Sequence, residues 1–306
     1  MTIETRFTRL FGCKYAIQQA GIGGLASPAL AVAVAEAGGL GMLSGVVGRE
    51  PLIAQLDQVP ADLPLGVNFL IPFLDRTALD DAAARTRFVE FFWGEPDAAL
   101  VDVVHQVDAL VGWQVGSVDE ARAARDAGCD VVVAQGVEAG GHVRGTVGLL
   151  PLLDGVRNAV VDVPLVAAGG IGTGRAMAAA LTAGADAVRV GTRFLAAVES
   201  TAHPAYVEAL IAAQAEDTVL TTAFGDGWPE APHRVLKSCV DAGRSLGAAQ
   251  SWSADWPDER YQGTPQARAL YAGQSVGAVH SRQPASTIIT ELNDEAEQSL
   301  TSSVAP

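Results

Sequence analysis

Along the chain, short apolar runs alternate with Ala-rich stretches whose apolar positions fall three or four apart, the two periods of strand and helix. One punctuation recurs. Glu36-Ala37-Gly38-Gly39-Leu40-Gly41-Met42, Asp126-Ala127-Gly128-Cys129-Asp130-Val131-Val132 and Thr182-Ala183-Gly184-Ala185-Asp186-Ala187-Val188 each close an Ala-rich stretch on Ala-Gly and pass at once into an apolar run. Glycine there takes the left-handed conformation that ends a helix, and the short link is what an αβ connection in a parallel sheet needs. The pattern predicts eight strands, over 15–19, 40–44, 65–69, 88–92, 108–111, 130–134, 165–168 and 187–190. Seven helices lie between them, over 28–37, 50–58, 75–86, 97–106, 118–127, 149–160 and 175–183. Continuous runs such as Val131-Val132-Val133 and Leu165-Val166-Ala167 suit strands covered on both faces. The expected fold class is α/β, a (β/α)8 TIM barrel, with a doubly wound open sheet as the rival.

After the eighth strand the character changes. Residues 196–214 read as helical, and 221–259 are rich in Gly, Pro and Trp (Trp228, Trp252, Trp256). We therefore expect a mostly helical insertion or lid over 200–260 at the barrel mouth. A returning helix is expected over 264–279 and a loose, acidic, Ser-rich tail over 291–306. The barrel itself would take 1–199 and 261–290.

Composition narrows the function. The chain has 306 residues, 49% hydrophobic and 18% charged, enough for a large core and too apolar for general disorder. Aromatics are only 6%, so small aliphatic side chains fill that core. The net charge of −15 excludes a broad nucleic-acid footprint and docking on anionic lipid. All basic residues but Lys14 and Lys237 are Arg. Residues 20–48 carry one charge, Glu36, but their eight glycines and Pro28 argue against a membrane span. Cys13, Cys129 and Cys239, without metal or disulfide spacing, fit a reducing compartment. No apolar signal-peptide core opens the chain, so a cytoplasmic location is expected.

Candidate chemistry follows from where barrels keep their sites, at the C-terminal ends of the strands. Those ends carry Gln19-Ala20-Gly21-Ile22-Gly23-Gly24, Asn68, Trp93-Gly94, Trp113-Gln114, Gln135 to His142, Gly169-Gly170-Ile171-Gly172 and Gly191-Thr192-Arg193. Such ends suit a cofactor lined by backbone and amides. Gly169, Gly170 and Gly191 let N–H groups approach a phosphate, and Thr192 adds a hydroxyl. Tight turns without a ligand would also use glycine. Gly140 and Gly141 would let the chain lie against a flat ligand, with His142 facing it as a proton-transfer group. His105, His203, His233 and His280 read as structural. Glu138 suits either a proton acceptor or a solvated loop charge, and Cys129 a packed thiol.

Together these blocks resemble the nitronate monooxygenase family of flavin-dependent barrels. The matching blocks are Gln19-Ala20-Gly21, Glu36 to Gly41, Asn68-Phe69, Gln135 to His142, Ala168-Gly169-Gly170-Ile171, Gly191-Thr192-Arg193-Phe194-Leu195 and Tyr271-Ala272-Gly273-Gln274. The resemblance implies FMN, its phosphate on Gly169, Gly170, Gly191 and Thr192. Its ring would lie near Ala20, Gly21, Asn68, Gln114, Gln135, Gly140 and Gly141. It implies His142 as the catalytic histidine and Gln274 in the pocket. It implies oxidative denitrification of alkyl nitronates with O2, giving a carbonyl compound and nitrite. Members of the same kind reduce quinones or enoyl thioesters with NAD(P)H, which is the alternative. The partners implied are a small-molecule substrate and O2, with no nucleic acid, no membrane and a homo-oligomer left open. Three departures stand out. Ala16 replaces a usual Pro, and the Gly-, Trp- and Pro-rich stretch 224–232 is that of a subgroup. Gln114 replaces a frequent Lys, which suggests a lost positive charge near the flavin.

Overall fold

The computed structural model describes residues 3–246 and 253–302. Eight parallel strands form one sheet: β1 (Ile17–Gln19), β2 (Gly41–Ser44), β3 (Leu65–Leu70), β4 (Phe88–Phe92), β5 (Leu110–Val115), β6 (Val131–Gln135), β8 (Leu165–Ala168) and β9 (Ala187–Val190); β7 (Gly141–His142) lies outside it. The order β1-β9-β8-β6-β5-β4-β3-β2 comes round on itself. Gln19 N–H donates to Leu40 O and Leu40 N–H to Ile17 O, both at 2.9 Å, linking β1 to the entry of β2. This is the expected TIM barrel. The helices α2 (Pro28–Glu36), α3 (Arg49–Leu56), α4 (Arg76–Ala83), α5 (Ala98–His105), α6 (Val118–Asp126), α7 (Leu149–Ala159) and α8 (Gly174–Thr182) cover it, behind a short N-terminal α1 (Arg6–Phe11).

Local signals account for these boundaries. Ser27, Asp75, Asp97, Ser117 and Thr173 cap the helices that follow them through side-chain oxygens. Gly38, Gly128 and Gly184, from the three repeated segments, sit at φ +100°, +96° and +101°. That is the left-handed exit their sequence predicts. The fifth strand begins two residues later than expected, because Asp108 sits in a left-handed turn at φ +60°.

The segment after β9 differs from the expected helical lid. It holds α9 (Thr192–Leu195), α10 (Pro204–Ala212) and α11 (Lys237–Leu246), but also β10 (Thr218–Thr221) and β11 (His233–Leu236). These strands pair antiparallel, and β11 pairs with β7, so the lid is stitched to the loop after β6. Its core, with Tyr206, Leu210, Phe224, Val235, Cys239, Leu270 and Val276, is separate from the barrel's. The expected helix over 264–279 is absent. Gly273, Gly277 and Pro265 leave only short 3₁₀ turns at Pro265–Ala267 and Gln274–Ala278.

The tail is not loose as far as Ser302. Helix α12 (Ala285–Ser302) buries Ile288, Ile289, Leu292 and Ala296, an apolar stripe hidden among Glu and Ser. It lies so close to α8 that a Cβ on Gly174 would come within 2.5 Å of Ala296 N and Leu292 O. Trp252 and residues 303–306 lie outside the described residues.

Candidate active site

The strand ends open on a cavity of about 460 Å3, a size suited to a small-molecule ligand. His142 and all the expected cofactor residues except Gln274 line it. Gln274 is a correction. Its side chain is exposed and its N–H donates to Glu138 O at 2.9 Å, while its neighbours Gly273 and Ser275 face the cavity.

At one end, Gly169 and Gly170 turn with φ +113° and +69°. A Cβ on Gly169 would come within 3.0 Å of Gly136 O, so the turn is tight enough to need glycine. The N–H groups of Gly170 and Gly191 have no protein acceptor among the described residues. Thr192 Oγ1 accepts from Gly273 N–H at 3.0 Å, which leaves its own hydrogen to donate. Two glycine loops and a hydroxyl thus converge as donors suited to an anionic group.

Along the wall, Gly140 and Gly273 touch backbone to backbone: a Cβ on Gly140 would lie 2.4 Å from Gly273 N. Gly141, at φ +73°, faces open space. Gln135 is committed differently from the expectation of cofactor contact. Its Nε2 donates to His142 O at 2.9 Å and its Oε1 accepts from Arg144 N–H at 3.4 Å. It lines the cavity while holding the short strand that carries His142. Glu138 is neither base nor solvated charge. Both its oxygens accept from Leu149 N–H at 3.1 Å and cap α7.

On the floor, sequence reading missed two residues, Glu90 and Arg189. Arg189 lines the cavity and donates through Nη1 to Gln114 Oε1, and through Nη2 to Glu90 Oε1 at 2.5 Å. A positive charge beside Gln114 is therefore supplied from β9, which corrects the expectation of a lost one. Gln18 faces Arg189 and Asn68 faces Glu90 across strand pairs, so all sit on one inner layer.

His142 stands in a wall of rings. Trp228 lies 4.5 Å away between centroids, His233 5.3 Å, Tyr271 5.7 Å and Trp93 5.9 Å. Trp93 holds φ +67°, a strained conformation for so large a residue, of the kind found near functional sites. Burial, with His233 nearby, pushes the His142 imidazole down to about 3, so it is neutral at pH 7. His233 is fully buried, and its ring nitrogens are taken by Ala231 O at 3.0 Å and Phe224 N–H at 3.3 Å. It is structural, as expected, but it also sets the environment of His142. His105 binds Asp130 at 2.8 Å, His203 caps α10, and His280 is exposed. Burial pushes the Cys129 thiol up to about 12, that of a packed thiol.

Comparison with known proteins gives the family. The family model described as nitronate monooxygenase matches residues 4–84 and 65–295. The chain belongs to the nitronate monooxygenase family. It is a flavin-dependent oxidoreductase. It is 33% identical to nitronate monooxygenase npaC of Metarhizium robertsii, over 92% of this chain and 90% of that protein. It is 36% identical to a Mycobacterium tuberculosis protein named (3aS,4S,5R,7aS)-5-hydroxy-7a-methyl-1-oxo-octahydro-1H-indene-4-carboxyl-CoA dehydrogenase, over 78% of this chain and 67% of that one. The solved structure of FabK from Thermotoga maritima superposes with a TM-score of 0.84 at 31% identity, covering 98% of both chains. Among the described residues no helix is long and apolar enough to cross a membrane.

Proposed function

We propose that the protein is an FMN-dependent oxygenase of alkyl nitronates, which it converts with O2 to a carbonyl compound and nitrite. The observation that carries this reading is a neutral His142 facing an apolar, ring-walled cavity that ends in a single-anion cradle. One phosphate group matches the cradle of Gly169, Gly170, Gly191 and Thr192, which favours a mononucleotide flavin. The flavin, when bound, supplies electron acceptance and the reaction with O2. Overall, two nitronates and one O2 give two carbonyl groups and two nitrite ions, one oxygen atom of O2 going to each carbon as its bond to nitrogen breaks.

His142 has two conceivable tasks, taking the α-proton of a nitroalkane or binding a nitronate. An imidazole held at about 3 is a weak base for a carbon acid. Protonating it at pH 7 needs a rise of roughly four units, about 5 kcal/mol. We therefore assign His142 a neutral role, donating its ring N–H to a nitronate oxygen. Trp228 and Tyr271 pack around it, Trp256 lines the cavity against Gly23 and Gly24, and together they keep water from the reacting carbon. Gln135 fixes the backbone of His142 and so its aim. The buried free thiols of Cys13, Cys129 and Cys239 fit an enzyme of a reducing compartment such as the cytoplasm.

A second reading, reduction of quinones or enoyl thioesters by NAD(P)H, draws on the thioester in the name of the Mycobacterium tuberculosis relative. Anaerobic mixing separates the two. Bleaching of the yellow protein by an alkyl nitronate, with slow bleaching by NADH or NADPH, supports the oxygenase. The reverse order supports the reductase.

A further inference from the structure

The barrel interior below the cavity holds a charged pair. Glu90 is fully buried and Arg189 is only 6% exposed. Glu90 Oε1 accepts from Asn68 Nδ2 at 2.9 Å and from Arg189, while Oε2 accepts from Gln18 Nε2 at 3.1 Å. A carboxylate accepts and a guanidinium only donates. Glu90 therefore turns the NH2 of Asn68 inward, and Arg189 turns the carbonyl of Gln114 inward. The other ends, Asn68 Oδ1 and Gln114 Nε2, have no protein partner among the described residues, and both side chains line the cavity. Arg189 reaches the cavity wall and Glu90 does not, so the nearer charge is positive.

We propose that Glu90 and Arg189 are positioning residues that set the polarity of the cavity floor. Through them the floor offers an acceptor at Asn68 Oδ1 and a donor at Gln114 Nε2, with the positive end of the pair beneath. That array matches the pyrimidine edge of a flavin, an N–H between two carbonyls that gains negative charge on reduction. The inference rests on the flavin reading and extends it to the residues that tune the flavin.

The test separates the two. Purified protein without flavin absorption, and unable to take up FMN, would defeat the flavin reading itself. With FMN bound, sulfite titration reads the field, because the adduct leaves negative charge on the pyrimidine edge. Replacing the ion pair by neutral amides, Glu90→Gln with Arg189→Gln, should weaken sulfite binding about tenfold. The same factor on the two-electron reduction lowers the midpoint potential by about 30 mV. Adding Gln114→Lys to Arg189→Gln, which moves the cation across the hydrogen bond, should restore both. Unchanged sulfite affinity and potential in the charge-free variant would overturn the proposal. Should that variant not fold, the wild-type chain still decides. FMN methylated at the pyrimidine N–H should bind about tenfold more weakly than FMN if Asn68 Oδ1 accepts there. Equal binding of the two would overturn it.

Discussion

The neutrality of His142 makes a quantitative claim about acid stability. In the unfolded chain the imidazole titrates near 6.5, and in the fold burial and His233 hold it at about 3. Below pH 6.5 the unfolded chain therefore binds a proton that the native protein refuses. Stability is fully present above pH 6.5 and falls as the pH drops towards 3, by about 1.4 kcal/mol per unit. At pH 5 the loss from this one group is about 2 kcal/mol, and at its limit about 5 kcal/mol. His233 is also lowered by burial and acts in the same direction. The assay is urea unfolding of the wild type and of His142→Phe at pH 7 and pH 5. Phe keeps a ring against Trp228 and removes the titration. The stability difference between the two proteins should move by about 2 kcal/mol in favour of the variant on going to pH 5. A difference that stays constant within about 0.5 kcal/mol would mean that His142 titrates as an exposed imidazole, and the neutral role would fall.

Other consequences follow from particular contacts. Gln135→Ala removes the bond to His142 O and should lower kcat several-fold while FMN stays bound, read by turnover and flavin absorbance; release of the flavin instead would restore a direct cofactor role. Gly140→Ala puts a Cβ 2.4 Å from Gly273 N, so the loops must part and flavin retention on gel filtration should be lost. Glu138→Ala uncaps α7 and should cost about 1 kcal/mol in thermal unfolding, with the nitronate reaction retained. On preformed nitronate, the rate from pH 6 to 8 should show no inflection near 6.5 that depends on His142.

The barrel was legible because its signals are local. An Ala-Gly exit, a Ser or Asp cap and an apolar run lie within a dozen residues, so each β/α unit announces itself. That Gly169, Gly170, Gly191, Thr192 and His142 would face one cavity was legible for the same reason, being fixed by their place at strand ends. What stayed hidden depends on partners far away in sequence. Arg189 in β9 reads as an ordinary polar break until Glu90, 99 residues earlier, is seen beside it. The strands β10 and β11 are four residues each, and β11 is held partly by two residues of the loop that bears His142. The stripe of α12 was outweighed by its Glu and Ser content, although Ile288, Ile289, Leu292 and Ala296 have helical spacing. Gln274 was assigned by resemblance, and there the neighbours of the matched position, not its side chain, face the cavity.

Oxygen uptake by the purified yellow protein, with an alkyl nitronate and no nicotinamide, decides whether it is an oxygenase. An oxygenase consumes O2 and releases nitrite well above the rate with free FMN, and loses this activity in His142→Ala. Bound FMN with no O2 uptake, together with rapid bleaching by NADH or NADPH, would contradict the oxygenase reading and leave the reductase reading.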